Sequence, residues 1–194
     1  MHSFFSATPC LTTLRRWKTL AALAIAAWLG LHACSTAIPP GLTAVAPFNV
    51  KRYEGTWYEI ARLDHSFERG LSDVTANYRL QPDGSVVVVN RGYDAKRGQW
   101  REATGSASFI GDASLASLKV SFFGPFYGGY HVVALDTRNY RWAMVVGPSL
   151  DYFWILSRDK LLPLEIEVRL LEQAKQLGID IGKVIRVEHA RHDR

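Results

Sequence analysis

The sequence is poor in cysteine, with only Cys10 and Cys34 among its 194 residues. Because Cys10 lies in a segment that we expect to be removed, Cys34 would be the single cysteine of the mature chain, which excludes an intrachain disulfide. The mature chain also lacks a strong excess of charge. Lys and Arg number 23 and Asp and Glu 18, and the first 33 residues hold three of the basic and none of the acidic ones, which leaves 20 against 18. No basic cluster or nucleic-acid motif occurs, so nucleic acid is not an expected partner.

Residue sets for catalysis are missing as well. The strand-rich part of the sequence contains no Ser/His/Asp arrangement, no metal-ligand spacing and no nucleophilic cysteine, since Cys34 lies upstream of it. The glycine-rich stretch 124–129 lacks the lysine and Ser/Thr of a phosphate-binding loop and precedes no predicted helix. His131 could hold haem iron, but no second ligand is placed near it. We therefore predict no catalytic residue, no metal and no cofactor.

Residues 1–33 are typical of a lipoprotein signal peptide. Basic residues at 15, 16 and 18 precede an apolar run of 13 residues at 19–31, which is too short to cross a hydrocarbon core of about 30 Å as a helix. The tetrapeptide Leu31-His32-Ala33-Cys34 resembles a lipobox, although His32 departs from it, and predicts that Cys34 is the acylated N-terminus. Ser35 lacks the aspartate that signals inner-membrane retention, which favours the outer membrane. An ordinary signal peptide and, with a poorer match, a twin-arginine signal are the alternatives.

The remainder divides into a tether and one domain. Residues 34–49 contain Pro39, Pro40, Gly41 and Pro47 without periodicity, which predicts an acylated N-terminus followed by a flexible tether. Residues 50–194 fit a single domain.

Short β-rich runs bounded by turn residues fill most of that domain. Their spacing of 10–15 residues predicts an all-β fold, an eight-stranded antiparallel up-and-down barrel. A C-terminal helix is predicted between Pro163 and Gly178, with an apolar stripe at Ile166, Leu170, Ala174 and Leu177, and a ninth strand follows at 183–187. The eight predicted strands span 57–63, 73–81, 85–93, 100–110, 115–123, 129–137, 140–147 and 151–158.

Three positions should meet at the base of this barrel. Gly55-Thr56-Trp57 opens the first strand, where the glycine allows close approach of a neighbour and the indole fills about 200 Å² of apolar surface. Odd strands start and even strands finish at the same end, so the turn before Tyr140 and Arg158, which ends the eighth strand, should lie near Trp57. We expect the Arg158 guanidinium to lie over the indole. On these residues, the chain after residue 48 resembles the lipocalin family, in particular its bacterial, apolipoprotein D-like branch of outer-membrane lipoproteins.

Strand parity predicts which side chains line the interior. If Arg158 and Trp57 point inward, so do Glu59 and Ala61 on the first strand. The predicted loops 64–72, 94–99, 124–128 and 148–150 would form the mouth. The predicted pocket comprises side chains of the eighth strand, together with aromatic residues and a methionine of other strands: Trp154, Tyr152, Leu156, Tyr78, Phe109, Phe122, Tyr130, Trp142 and Met144.

The resemblance implies a binding protein rather than an enzyme. Its expected partner is a hydrophobic ligand, a fatty acid, lysophospholipid or phospholipid, held for membrane maintenance by a protein anchored in the outer membrane and facing the periplasm. Arg69, Lys96 and Arg97 would attract an anionic head at the mouth. Phe126 and Tyr127 would be exposed there, suited to a membrane surface or to the interface of a homodimer. The alternatives are a filled barrel that serves as a structural or interaction lipoprotein, and a haem or small-molecule binder.

Overall fold

A computed structural model describes residues 35–191 of the chain. A short helix, α1 (Val50–Tyr53), precedes the first strand, helix α2 (Leu164–Gln176) follows the eighth, and a 3-10 helix (Ile181–Lys183) precedes the ninth. The strands are β1 (Gly55–Arg62), β2 (Leu71–Leu80), β3 (Val86–Asp94), β4 (Gln99–Phe109), β5 (Ser117–Phe123), β6 (Phe126–Leu135), β7 (Trp142–Val146), β8 (Phe153–Ser157) and β9 (Ile185–Arg186).

The strands form a closed barrel. Each of β2 to β7 pairs antiparallel with the next strand in sequence, and β1 pairs with both β8 and β2, which joins the two edges. Closure leaves none of these eight strands with an unpaired edge. Strand β9 adds to the far end of β1, where Ala61 faces Arg186. The predicted eight-stranded barrel with a helix and a ninth strand is confirmed.

Two apolar cores lie on opposite faces of the barrel wall. One fills the barrel from its base and includes Trp57, Val132 and Val145. The other lies between the outer face of the wall and α2, and includes Met144 and Ile155. Successive side chains of a strand point to opposite faces, so β7 and β8 contribute to both cores.

Helix α2 packs on the outside of the barrel as its sequence predicts. Leu170 and Ala174 are fully buried in the outer core, and Ile166 and Leu177 pack against it. Gly178, just past the helix, has φ of +88°, a left-handed conformation that glycine adopts without strain.

The segment before α1 differs from the flexible tether expected for residues 34–49. The Val45 N–H donates to the Val132 carbonyl at 2.8 Å, and the Val45 carbonyl accepts from Ala116 at 2.9 Å. Phe48 is buried in the inner core, and the Ser35 carbonyl accepts from the N–H of Gly129. Residues 35–49 are therefore part of the folded domain, although they contain neither helix nor strand. Residues 1–34, including the predicted signal peptide and Cys34, lie outside the described residues.

Candidate functional site

The base of the barrel is closed by an arginine, an indole and a helix end. The Arg158 guanidinium carbon lies 4.0 Å from the Trp57 ring centroid, so the predicted cation–π contact is present. The same guanidinium donates to the Thr56 carbonyl at 2.8 Å and to those of Arg52 and Glu54 at 2.9 and 2.8 Å, around the end of α1. These bonds hold α1 across the base.

Gly55 explains why the strand can start beneath that arginine. Its φ is +90°, and a Cβ at this position would lie 3.4 Å from Arg158 Nη1. Trp57 is fully buried, and its Nε1–H donates to the Tyr53 carbonyl at 2.8 Å. Tyr140 reaches the same end, where its hydroxyl accepts from the N–H of Asn49 at 3.0 Å. The three predicted positions thus meet at one closed end.

On two strands of the barrel, the inward-facing side chains become less buried toward the mouth. On β5, Leu118 is buried near the base, whereas Val120 and Phe122, which lie closer to the mouth, are only partly buried. On β8, Leu156 is buried and Trp154 is partly buried. An inward-facing apolar side chain keeps exposed surface only where no other side chain covers it, so the interior beside β5 and β8 is incompletely filled toward the mouth.

Most predicted pocket residues belong to this inner core. Tyr152 instead lies at the rim, 37% exposed, with its ring stacked on His65 at a centroid distance of 4.8 Å. The predicted residues that do pack in the inner core are Trp154, Leu156, Tyr78, Phe109, Phe122 and Tyr130.

The predictions for Trp142 and Met144 are wrong. Both belong to the outer core beneath α2, because the inward positions of β7 are Ala143 and Val145. Ala61, also expected inside, packs in the outer core too. A register irregularity between Glu59 and Ala61 shifts the alternation along β1, since a bulge reverses the face of the side chains beyond it.

That irregularity turns Arg62 inward, where it forms the centre of a buried ionic cluster that the sequence reading missed. Arg62 Nη1 lies 2.7 Å from Glu59 Oε1, and Arg62 Nε lies 3.7 Å from Glu68 Oε1. Arg62 also donates through Nη2 to the Glu68 carbonyl at 3.1 Å, and Trp154 Nε1–H donates to Glu68 Oε1 at 3.0 Å. Since Glu68 lies between β1 and β2, the cluster ties this mouth loop to the barrel wall.

Two carboxyl groups beside one guanidinium shift each other's titration. Burial raises the pKa of Glu59, and the nearby Glu68 carboxyl raises it further, while Arg62 opposes both effects. Burial likewise raises the pKa of Glu68 against the lowering effect of Arg62. At the rim, burial and then Arg62 lower the pKa of His65 to about 4.

Three tyrosine hydroxyls form a second polar group inside the barrel. The Tyr130 hydroxyl is 2.8 Å from that of Tyr53 and 2.8 Å from that of Tyr78. The three hydroxyls are hydrogen-bonded to one another. The indole N–H of Trp57 does not take part, because it donates to the Tyr53 carbonyl. The interior therefore combines apolar side chains with two polar groups, the ionic cluster and the tyrosine hydroxyls.

The basic residues predicted at the mouth are mostly paired. Arg69 Nε lies 2.6 Å from Asp64 Oδ2, and Arg97 Nη1 lies 3.3 Å from Asp94 Oδ2. Both arginine side chains are more than half exposed. His131, considered as a haem ligand, is fully buried, and its Nδ1 is 2.9 Å from Ser117 Oγ.

Residues 35–191 contain neither a metal-binding cluster of side chains nor a membrane-spanning helix. No group of three or more His, Cys, Asp or Glu side chains in this part of the chain is arranged to hold a metal ion. No helix in the same range is both long and apolar enough to cross a membrane.

Comparison with known proteins identifies the family. A family model described as a lipocalin-like domain matches residues 48–189. The protein belongs to the lipocalin family. It is 54% identical over 174 residues to outer membrane lipoprotein Blc of Escherichia coli (strain K12), covering 89% of this chain and 97% of that protein. It is 48% identical over 151 residues to outer membrane lipoprotein Blc of Vibrio cholerae, covering 78% of this chain and 88% of that protein.

A more distant relative and a solved structure are also similar to this chain. Apolipoprotein D of Mus musculus is 34% identical over 152 residues, which covers 74% of this lipocalin and 78% of that protein. The solved structure of insecticyanin from the tobacco hornworm Manduca sexta superposes with a TM-score of 0.62 at 21% identity, covering 78% of this chain and 86% of that one.

Proposed function

We propose that this lipocalin binds a fatty acid, lysophospholipid or phospholipid in the mouth half of its barrel. The observation that carries the proposal is the decrease in burial toward the mouth, which leaves Phe122, Val120 and Trp154 incompletely covered. Covering such surfaces with an alkyl chain gains about 0.8 kcal/mol for each buried CH₂. The closed base, sealed by Trp57 and Arg158, allows entry of the chain from the mouth only.

The charges along the interior favour a ligand whose head stays outside. The Arg62 guanidinium already faces two carboxyl groups, so an anionic head would gain little beside it and would repel Glu59 and Glu68. A phosphate or carboxylate head is better placed at the rim near Arg69, Arg97 and Lys96, because the two arginines are exposed there and exposed ion pairs are weak. This arrangement suits a lipid with its alkyl chain inward.

The location of the protein is inferred from its relatives. The proteins that are 48–54% identical carry the name outer membrane lipoprotein Blc. We infer the same location here, with Cys34 acylated and the barrel in the periplasm. Storage or transport of lipids for membrane maintenance is the role that a tethered lipid-binding barrel supports.

The proposal is tested by binding of a fluorescent fatty acid to two matched tryptophan variants. We expect Trp154→Ala, which removes an inner-core ring, to weaken binding about tenfold or more, since roughly 1.4 kcal/mol corresponds to a factor of ten. Trp142→Ala removes a partly buried ring on the outer face and should retain wild-type affinity.

Competition with lysophospholipid and thermal unfolding of both variants complete the test. We expect lysophospholipid to displace the probe, and Trp154→Ala to retain a cooperative transition. Full-affinity binding by folded Trp154→Ala protein would contradict the proposed site. Failure of the wild type to bind any of the three lipid classes would leave the filled barrel as the better interpretation.

A further inference from the structure

The hairpin between β5 and β6 carries aromatic side chains that the barrel does not cover. Phe123 is 79% exposed, Phe126 63% and Tyr127 40%, and Phe123 pairs with Phe126 across the turn. We call these three residues the aromatic tip. Exposed apolar clusters of this kind mark interaction surfaces. The tip lies at the mouth, because β5 ends and β6 begins there.

The N-terminal segment starts beside this tip. The N–H of Gly129 in β6 donates to the carbonyl of Ser35 at 3.2 Å, and a Cβ on Gly129 would lie 3.2 Å from the carbonyl oxygen of Thr36. Gly129 follows Phe126 by three residues of strand, which is about 10 Å. Cys34 is joined directly to Ser35, at a Cα–Cα distance of about 3.8 Å. An acyl group on Cys34 would therefore hold the aromatic tip close to the membrane surface.

The charge beside the tip fits a phospholipid surface. The Lys119 ammonium lies 5.1 Å from the Tyr127 ring centroid, which places a cation next to rings that prefer the boundary between water and hydrocarbon. Arg69 and Arg97 are exposed at the same end of the barrel, but each is paired with an aspartate, so Lys119 is the cation that carries this argument. Anionic lipid headgroups attract basic residues in this position.

We propose that the aromatic tip is a membrane-docking surface that inserts into the headgroup region of a phospholipid bilayer and turns the barrel mouth toward it. The closeness of the tip to the bilayer rests on the proposed acylation of Cys34, whereas the preference of the tip for lipid does not. A lipid would then pass between bilayer and barrel with little exposure of its chain to water.

The first experiment places an environment-sensitive fluorophore at either end of the barrel. Full-length chains carrying Phe126→Cys at the tip or Ala113→Cys at the base are produced in bacteria, labelled with a nitrobenzoxadiazole dye on the new thiol, and reconstituted into phosphatidylethanolamine–phosphatidylglycerol vesicles. We expect lipid-borne nitroxide to quench the dye at position 126 and to spare the dye at 113. Equal quenching at both positions, or none at 126, would overturn the proposal.

A Cys34→Ser background separates the tip from the anchor. The fraction of protein that floats with vesicles reports the anchor, whereas the ratio of quenching at 126 to that at 113 among bound molecules reports the tip. Loss of flotation with the ratio retained shows that the two act independently, as proposed. A ratio near one in both backgrounds overturns the tip even if acylation is demonstrated.

The second experiment asks whether docking serves transfer. We expect Phe123→Ser/Phe126→Ser to slow movement of a fluorescent fatty acid from vesicles into the barrel about fivefold or more, with unchanged affinity in solution. Leu161→Ser/Leu164→Ser is the matched control, because these leucines are 84% and 65% exposed but lie at the start of α2. Equal transfer rates for the tip variant and the leucine control variant would contradict the proposal. If the wild type is a dimer and the Phe123→Ser/Phe126→Ser variant is a monomer, the aromatic tip contacts a second copy of the chain and not the membrane.

Discussion

At the scale of single residues, Arg158 joins more parts of the lipocalin than any other side chain at the base. It lies over Trp57 and binds carbonyls of Arg52, Glu54 and Thr56. Trp57→Ala is expected to lower the free energy of unfolding by about 3–5 kcal/mol, because it empties a large buried site. Arg158→Ala should cost less, and a double-mutant cycle by urea unfolding should give a coupling of about 0.5–2 kcal/mol.

The cycle needs a control arginine that also faces a ring. Arg52 lies 4.2 Å from the Tyr140 ring centroid and does not face Trp57. Arg52→Ala and Trp57→Ala should therefore couple less strongly than Arg158→Ala and Trp57→Ala. Additive effects of the Arg158 and Trp57 variants would show that the observed contact contributes nothing to stability.

At the scale of elements, the ionic cluster makes the loop between β1 and β2 sensitive to pH. In the folded protein, the pKa values of Glu59 and Glu68 are raised. The folded state thus binds protons that the unfolded chain releases, and stability falls as pH rises from about 4.3 through the raised values. His65 acts oppositely. Its folded pKa of about 4 makes stability fall as pH drops from about 6.5.

Between about pH 7 and pH 9, His65 no longer changes the stability. The pH dependence caused by the two carboxyl groups can therefore be measured there without it. We expect the free energy of unfolding of Glu59→Gln to decline less than that of the wild type between about pH 7 and pH 9, by on the order of 1 kcal/mol. Urea unfolding at a series of pH values measures this difference. Glu165→Gln, at an exposed position of α2, is the control and should follow the wild type. Parallel curves for wild type and Glu59→Gln would contradict the titration described here.

The elements also show how far sequence reasoning extends. The barrel, the helix and the contact of Arg158 with Trp57 could be predicted because they follow from turn chemistry, helical period and strand direction. The inward face of β7 could not. All five residues of Trp142–Val146 are apolar and the strand is buried on both faces, so no alternation distinguishes inside from outside. Arg62 was missed because the bulge before it reverses parity without any signal in composition.

At the scale of the whole molecule, the folded domain begins at once after the predicted lipid anchor. Metabolic labelling with alkyne-palmitate should mark the wild-type protein and not Cys34→Ser, and the wild type should fractionate with outer membranes. Cys34→Ala, which also lacks a thiol, should behave like Cys34→Ser. Labelling of either variant, or a soluble wild type, would exclude the anchor but would not bear on the barrel or on the proposed lipid site.

The two apolar cores leave the barrel wall packed unequally around its circumference. The wall of β7 and β8 is packed on both sides, with Met144, Val145 and Ile155 fully buried. The wall of β3 and β4 is packed only inside, and Thr104 and Ser106 face solvent on its outer surface. Displacing a strand costs more free energy where the side chains packed on both of its faces must also move. We therefore expect outward displacement of a strand to cost less free energy in β3 and β4 than in β7 and β8, which lie against the helix.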